Sequence, residues 1–144
     1  LTTQHMRYSH DYWMHKAIEQ AKLGDSPFGA ILVKSPQEFV SAYNTTGKDG
    51  PHAHAEMNVI QHVRQLRPYA SKNLKLYSTV EPCPMCMSAL VWAGIGHLIY
   101  GASINDAAQF GHQIHISSQE IANIAWYPIE ITQEMNRKAC LNLF

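Results

Sequence analysis

The sequence predicts an α/β fold with a mixed central sheet of about five strands. Short apolar runs alternate with segments of helical periodicity along the 144 residues. A strand, a helix and another strand follow one another between residues 74 and 102, which is the order of two parallel strands joined by a short crossover. Because 46% of the residues are hydrophobic, the chain has enough apolar surface for one core. We therefore predict a single domain over residues 1–144.

The first predicted elements are a helix and a β-hairpin. The helix follows Ser9, a residue type that caps helix N-termini, and ends at Gly24. Its apolar face carries Trp13, Met14, Ala17, Ile18 and Ala21. Two extended stretches, residues 28–33 and 39–43, flank a turn signal at residues 35–36, and this pattern indicates a hairpin.

The rest of the chain continues the alternation. Residues 44–53 are rich in Gly, Asn and Thr and predict a loop. The elements predicted after it are a helix over 54–66, a strand over 74–80, a helix over 83–93, a strand over 97–102, a short helix near 105–110, a strand around 129–131 and a terminal helix from about 133. Loops on a rigid scaffold usually carry specificity, so we expect 44–53 and 110–127 to shape it.

Charge and composition narrow the classes of partner. Eleven basic residues balance eleven acidic ones, which disfavours a nucleic-acid partner but leaves a local basic patch open. No apolar run approaches the roughly 18 residues of a membrane span and no leader pattern is present, so we expect no membrane association and a cytoplasmic location. The three cysteines are an odd number, and two of them form a C-x-x-C, which is typical of metal or redox sites.

Two short motifs carry the predicted chemistry: His54-Ala55-Glu56 and Pro82-Cys83-Pro84-Met85-Cys86. Each is predicted to begin a helix, where free backbone N–H groups favour thiolates. Cys83 and Cys86 lie on one helix face and His54 reaches the same ion from the other helix, which leaves a fourth position for water. Glu56 is not needed as a ligand and is placed to move protons. The sequence thus predicts a hydrolytic enzyme with a Zn²⁺ cofactor.

The same residues allow other interpretations. If His52 replaced His54 as ligand, the position two residues later would be a histidine, and the proton shuttle would be lost. Cys140 could close a fourth zinc position and make the site structural. Cys83 and Cys86 could instead form a dithiol redox switch. Neither the structural zinc site nor the redox switch gives Glu56 a role.

At these motifs the chain resembles the zinc-dependent cytidine and deoxycytidylate deaminase superfamily, whose signature is H-x-E followed by P-C-x-x-C. Pro27-Phe28-Gly29-Ala30, both motifs and Trp92 are most similar to the guanine deaminase branch, followed by the tRNA adenosine deaminases. The resemblance implies a three-layer α/β/α fold and attack of hydroxide on an amino-bearing ring carbon, with Glu56 relaying protons as ammonia leaves. The zinc ligands that it implies are His54, Cys83 and Cys86.

The resemblance also implies substrate contacts and a substrate class. The implied contacts are Asn44, the backbone N–H of Ala55, Trp92 and Phe28. The implied substrate is guanine or a related purine or triazine, with tRNA wobble adenosine or a cytosine-type ring as alternatives. A carboxylate that reads the guanine edge is expected where this chain has Ile114, and Asp106 or Glu120 are the shifted substitutes.

The last implication concerns assembly. Superfamily members are commonly oligomers with active sites near subunit interfaces, so we expect a homodimer. In the guanine branch the C-terminal segment covers a partner's site, which would make Leu143 and Phe144 lid residues. Packing of the terminal helix on its own core is the alternative.

Overall fold

The computed structural model of the protein describes residues 8–144, and within that range it contains five strands and seven α-helices. The strands are β1 (Gly29–Ser35), β2 (Glu38–Tyr43), β3 (Lys75–Val80), β4 (His97–Ala102) and β5 (Glu130–Thr132). The helices are α1 (His10–Leu23), α2 (Thr46–Asp49), α3 (Ala55–Ile60), α4 (Pro84–Ala93), α5 (Ile104–Ala107), α6 (Ser118–Asn123) and α7 (Arg137–Leu141). Short 3₁₀ segments cover Val63–Leu66 and Ser71–Asn73.

The five strands form one mixed sheet in the order β2-β1-β3-β4-β5. The hairpin strands β1 and β2 are antiparallel, and so are β1 and β3. β3, β4 and β5 are parallel, with α4 as the crossover between β3 and β4. The predicted mixed sheet is confirmed. Because β3 and β4 run the same way, the loops that follow them leave from one edge of the sheet.

Helices cover both faces of the sheet. Along β1, Ala30 and Leu32 pack with α3, α4 and α6, whereas Ile31 and Val33 pack with α1 and α7. All four side chains are buried, as expected for a strand with helices on both sides. The predicted three-layer arrangement is therefore confirmed.

Helix α1 has the predicted cap and the predicted buried face. The Ser9 hydroxyl accepts a hydrogen bond from the Tyr12 N–H, and Gly24 caps the C-terminus. The helix lies so close to β1 that a side chain at Gly29 would overlap the backbone carbonyl of Ala17. A glycine at this position is what allows the helix to pack onto the strand.

Four helices differ from the sequence prediction. Helix α2 is a single turn within residues 44–53, which were predicted to be a loop, and its Asp49 and Gly50 N–H groups donate to the carbonyls of Thr45 and Thr46. The helix predicted over 54–66 stops at Ile60 and resumes as a 3₁₀ turn, and Pro68 then disfavours helical backbone at the residue before it. The terminal helix begins at Arg137 instead of 133, because Glu134 and Asn136 adopt positive φ angles of 61° and 55° that belong to turns. Helix α6 was not predicted, although Ser117 and the third helical residue form a capping box that signals its start.

Across residues 8–144, no helix has both the length and the apolar character that crossing a membrane requires.

Candidate active site

The two motifs lie at two helix N-termini on the same face of the sheet. His54 is the N-cap of α3 and Cys83 is the N-cap of α4, with Pro84 as the first helical residue. Pro84 suits that position because its missing N–H would have no helical partner there. Cys83 also follows the end of β3 closely, where the Glu81 N–H donates to the Ala102 carbonyl on β4 at 2.7 Å. The sheet edge thus fixes where the α4 terminus points.

His54, Cys83 and Cys86 form a compact group of metal-ligating atoms. The His54 Nδ1 atom lies 3.7 Å from the Cys83 Sγ and 3.5 Å from the Cys86 Sγ. An ion about 2.3 Å from sulfur and about 2.0 Å from nitrogen in tetrahedral geometry separates those two ligands by about 3.6 Å. One imidazole and two thiols at this spacing therefore fit zinc. Among residues 8–144, this is the only group of three or more His, Cys, Asp or Glu residues whose ligand atoms all approach within 4.8 Å.

The alternative ligands lie elsewhere. Cys140 is buried in the opposite layer, where it packs with α1 and the other face of the sheet. His52 is exposed on the loop that precedes α3 and does not belong to the ligand group. The geometry thus leaves three protein ligands, which is the number found at catalytic zinc sites.

The two thiols differ in acidity because they face each other. Hydrogen bonds from the Cys86 thiol and then from His54 lower the pKa of Cys83 to about 4. The hydrogen bond between Cys86 and Cys83 raises the pKa of the Cys86 thiol, and burial raises it further. The hydrogen bond to Cys83 raises the pKa of His54. One sulfur of the pair is therefore a thiolate even before a metal displaces the second proton.

Glu56 lies beside the ligand group on the first turn of α3. Its side chain is only 5% exposed, and it lines the same cleft as His54 and Cys83. Burial raises its pKa to about 7. A carboxyl group with a pKa near neutrality both accepts and returns a proton at low cost.

The ligand group opens into a cleft of about 400 Å³. Its walls come from the start of β1, the loop after β2, the segment 110–113 and the C-terminal Phe144. Of the described residues that line it, only Glu56 and Glu81 carry carboxylates, and none is a lysine or an arginine. The cleft has the size of a site for one heterocyclic base and its immediate substituents.

Asn44 reaches the cleft with its orientation fixed. Its Oδ1 accepts hydrogen bonds from both the N–H and the hydroxyl of Thr46, each at 3.0 Å. The loop beneath it is braced by the Asn58 amide, which donates to the Tyr43 carbonyl at 2.8 Å and to the Thr45 hydroxyl at 2.9 Å. The side-chain amide nitrogen of Asn44 has no partner in the described part of the chain, so it remains a free donor at the cleft.

Three phenylalanines form an aromatic wall. Phe110 and Phe144 stack with their ring centroids 4.7 Å apart, and Phe28 meets Phe144 edge-on at 6.0 Å. Phe144 follows α7, which packs on its own sheet, so the ring lines the cleft of its own chain. Leu143 instead packs with the core on the α1 side.

Of the remaining two predicted substrate contacts, Ala55 lies beside the cleft and Trp92 lies away from it. The Ala55 side chain is fully buried, and as the first residue of α3 it has an N–H group outside the helical hydrogen-bond pattern, between the cleft residues His54 and Glu56. Trp92 does not reach the cleft. It is 80% exposed and its ring contacts Trp126, because it lies almost two turns beyond Cys86 on a different side of α4. Trp92 therefore lies outside the cleft of its own chain, and its contact with the base stays a prediction.

The guanine-reading carboxylate has no replacement at the predicted positions. Ile114 is 61% exposed and does not line the cleft. Asp106 is bound to Arg137 at 2.7 Å, and the hydrogen bonds from Arg137 and then from the α5 cap lower the pKa of Asp106 to about 2. Glu120 caps α6 through Ser117. Three further cleft residues, Val80, Glu81 and Ala107, carried no functional signal in the sequence, whereas 110–113 belong to the stretch 110–127 that was expected to shape specificity.

Residues 7–102 match the family described as the cytidine and deoxycytidylate deaminase zinc-binding region. The chain belongs to this family. It is 31% identical to a guanine deaminase of Bacillus subtilis over 142 residues, which cover 89% of this chain and 90% of the relative. It is also 31% identical to a tRNA-specific adenosine deaminase of Buchnera aphidicola subsp. Baizongia pistaciae, over 96% of this chain and 87% of the relative.

A solved guanine deaminase from Nitrosomonas europaea has the same fold, with a TM-score of 0.78 at 19% identity over 99% of this chain and 91% of the other. Family membership confirms the predictions of a deaminase-type enzyme and of a zinc cofactor.

Proposed function

We propose that this chain is a zinc-dependent hydrolytic deaminase that releases ammonia from an amino-substituted, nucleobase-like ring. The observation that carries the proposal is the ligand group with a buried carboxylate beside it at a cleft of base size. The proposed zinc ligands are His54, Cys83 and Cys86. Zinc bound there supplies a water molecule of lowered pKa for attack on the ring.

Glu56 is the proposed proton carrier. Its position at the cleft and its raised pKa support a role in two proton transfers. The carboxylate would take one proton from the attacking water and deliver it to a ring nitrogen. It would then take the second proton of that water and deliver it to the amino group, which leaves as ammonia. The N–H of Ala55 is proposed as a donor to the substrate from the same helix start. Glu81 lines the cleft too, but its oxygens are engaged by other groups. Proton transfer is therefore assigned to Glu56.

Guanine or a related purine or triazine is the proposed substrate class. The Asn44 amide is proposed to donate to a ring nitrogen or carbonyl, and the stacked pair Phe110 and Phe144 offers a flat apolar surface to a planar ring. Phe28 extends that surface at its edge. The similarity to the Bacillus subtilis guanine deaminase supports this choice.

Deamination of tRNA adenosine is the second candidate, supported by an equal identity to a tRNA-specific adenosine deaminase. The cleft favours the small substrate, since no lysine or arginine of the described chain lines it and phosphate binding usually needs such residues. The basic residue Lys75 is far from the ligand group. It lies at the start of β3, whereas the ligand group lies beyond the end of that strand, at the opposite edge of the sheet.

An ammonia-release screen tests the function. Zinc-loaded protein is assayed with guanine, adenine, cytosine, their nucleosides, amino-triazines and tRNA. We expect release from guanine or a related purine or triazine and none from tRNA. Glu56→Gln is the matched control, since it keeps the shape of the side chain and the zinc but is expected to lose about 100-fold or more in turnover. Full turnover in that variant would exclude the assigned proton carrier, and release from tRNA alone would select the second candidate.

We further propose a homodimer that forms through an apolar surface, here called the tryptophan patch and defined by Trp92, Ile124 and Trp126. These side chains are 80%, 83% and 66% exposed. Together they present on the order of 500 Å², more than half of the roughly 800 Å² that each partner contributes to a standard interface. An exposed apolar area of several hundred Å² often marks an interaction site. A second copy of a chain with balanced charge meets no net repulsion there.

A single deaminase domain over residues 1–144 and a cytoplasmic location remain predictions.

A further inference from the structure

Glu81 is a buried carboxylate that the proposed chemistry does not use. Its side chain is 7% exposed. One oxygen accepts the N–H of Ile104 at 3.0 Å, and the other accepts the N–H of Ser118 at 2.8 Å and the Ser118 hydroxyl at 2.6 Å. Such a charge is costly to bury unless it is well hydrogen-bonded, and three donors meet that need.

The three donors come from the two ends of one segment. Residues 104–118, here called the wall segment, include α5 and the cleft-lining residues 110–113. Between Ala107 and Ser118 the segment has no helix or strand, and Phe110 and Ile114 on it are 63% and 61% exposed. Packing alone therefore holds this part of the cleft weakly. The carboxylate closes the segment into a loop at its base.

Glu81 also adjoins the metal-ligating helix. It stands two residues before Cys83, and its own N–H is bonded to the Ala102 carbonyl on β4. The side chain and backbone of one residue thus connect the end of β3, the end of β4, the wall segment and the start of α4. A displacement of Glu81 would move the wall segment relative to the ligand group.

The capping boxes of the two helices leave free the N–H groups that Glu81 binds. Helix α5 has a box from Ser103 and Asp106, and α6 has one from Ser117 and Glu120. Each box satisfies the N–H groups of the N-cap and of the third helical residue, but not that of the first helical residue. Glu81 accepts both of these remaining N–H groups, so one carboxylate completes the N-termini of two helices and connects them.

We propose that Glu81 is a positioning residue for deamination: it fixes the wall segment against the metal-ligating helix, so that residues 110–113 meet the substrate at a set distance from the reacting carbon. This inference rests on the proposed function. It assigns Glu81 no contact with reacting atoms, because both of its oxygens are occupied. Its effect is expected on substrate binding by residues 110–113, and therefore on KM more than on kcat.

Adjacent serines provide a matched pair of variants. Ser118→Ala removes the shortest bond to Glu81 and keeps the N–H bond, whereas Ser117→Ala removes the α6 cap and leaves Glu81 untouched. Glu81→Gln is the stronger test, since its amide N–H₂ group would face the N–H of Ile104 or the donors of Ser118, donor against donor. Hydrogen exchange of the wall segment is measured first, because it requires no activity.

We expect faster exchange confined to residues 104–118 in Glu81→Gln and Ser118→Ala, with zinc content unchanged. Kinetics on the substrate found in the screen should then show a KM raised about tenfold or more and a kcat changed less than about threefold. Ser117→Ala should leave KM within about twofold. If the exchange of the wall segment stays at the wild-type rate, the proposal is overturned whether or not the protein is a deaminase.

A loss of zinc or a fall in kcat without a change in KM would also overturn it, since Glu81 would then act on the metal site. If Glu81→Gln does not fold, Ser118→Ala decides by the same criteria. If exchange responds as expected but no substrate releases ammonia, the proposed function fails while the mechanical role of Glu81 stands.

Discussion

Replacement of Gly101 by alanine should destabilise the protein through one contact between β4 and α7. A Cβ atom at this position would overlap the Sγ of Cys140, come within 2.9 Å of its Cβ and lie 3.0 Å from the Thr79 carbonyl oxygen. Cys140 is fully buried, and ordinary carbon contacts need about 3.5–4.0 Å, so α7 has to move outward. Overpacking of this kind costs about 1–3 kcal/mol.

The same change removes a glycine from a strand, which by itself stabilises by about 0.5–1 kcal/mol. The expected net loss for Gly101→Ala is therefore about 1–2 kcal/mol, or a fall in Tm of about 3–8 °C. Equilibrium unfolding in urea at a fixed protein concentration measures it, with an unchanged m-value as the check that only stability has changed.

A double-mutant cycle identifies the contact. In a Cys140→Ala background the sulfur is absent, so Gly101→Ala should cost at least about 1 kcal/mol less than in the natural sequence. Additive losses, or a Gly101→Ala variant as stable as the parent, would refute the packing of α7 against β4.

Removing either thiolate ligand, as Cys83→Ser or Cys86→Ser, should reduce bound zinc from about one ion per chain to well below one by elemental analysis, because two protein ligands hold the ion poorly. Trp92→Ser should shift the protein toward monomer in analytical ultracentrifugation while zinc content stays constant, whereas an unchanged sedimentation coefficient would exclude the tryptophan patch. Arg137→Gln should lower the stability by a small amount at neutral pH, because the exposed guanidinium group no longer pairs with Asp106. Since Arg137 holds the pKa of Asp106 at about 2, below its usual value, this difference is present above about pH 4 and should vanish as the pH falls toward 2 in thermal unfolding of the two proteins.

Much of the framework followed from local patterns. The capped helix after Ser9, the hairpin and the β3-α4-β4 unit are regular elements whose apolar periodicity reflects burial in one core. The ligand group was predictable for the same reason, because a C-x-x-C on a first turn and an H-x-E at a helix start fix their own geometry. In these elements, sequence neighbours are also spatial neighbours.

The cleft walls were less predictable, because they depend on contacts between distant residues. Nothing near Phe144 in the sequence indicates that its ring stacks on Phe110. The exposure of Trp92 has a related cause, since the direction of its side chain from α4 depends on which face of that helix the sheet covers. The bonds of Glu81 to Ile104 and Ser118 span 23 and 37 residues, a range over which short motifs carry no signal.

The separation of the ligand group from the wall segment bears on how such an enzyme can diversify. His54 and Cys86 belong to helices that are anchored in the core, so changes there endanger folding and chemistry together. Residues 110–113 lie in an exposed stretch without regular structure, where side chains are exchanged at little cost in stability. Proteins with this fold can therefore change their ring substrate through substitutions at a few residues of the wall segment, while the ligand group and the reaction stay the same.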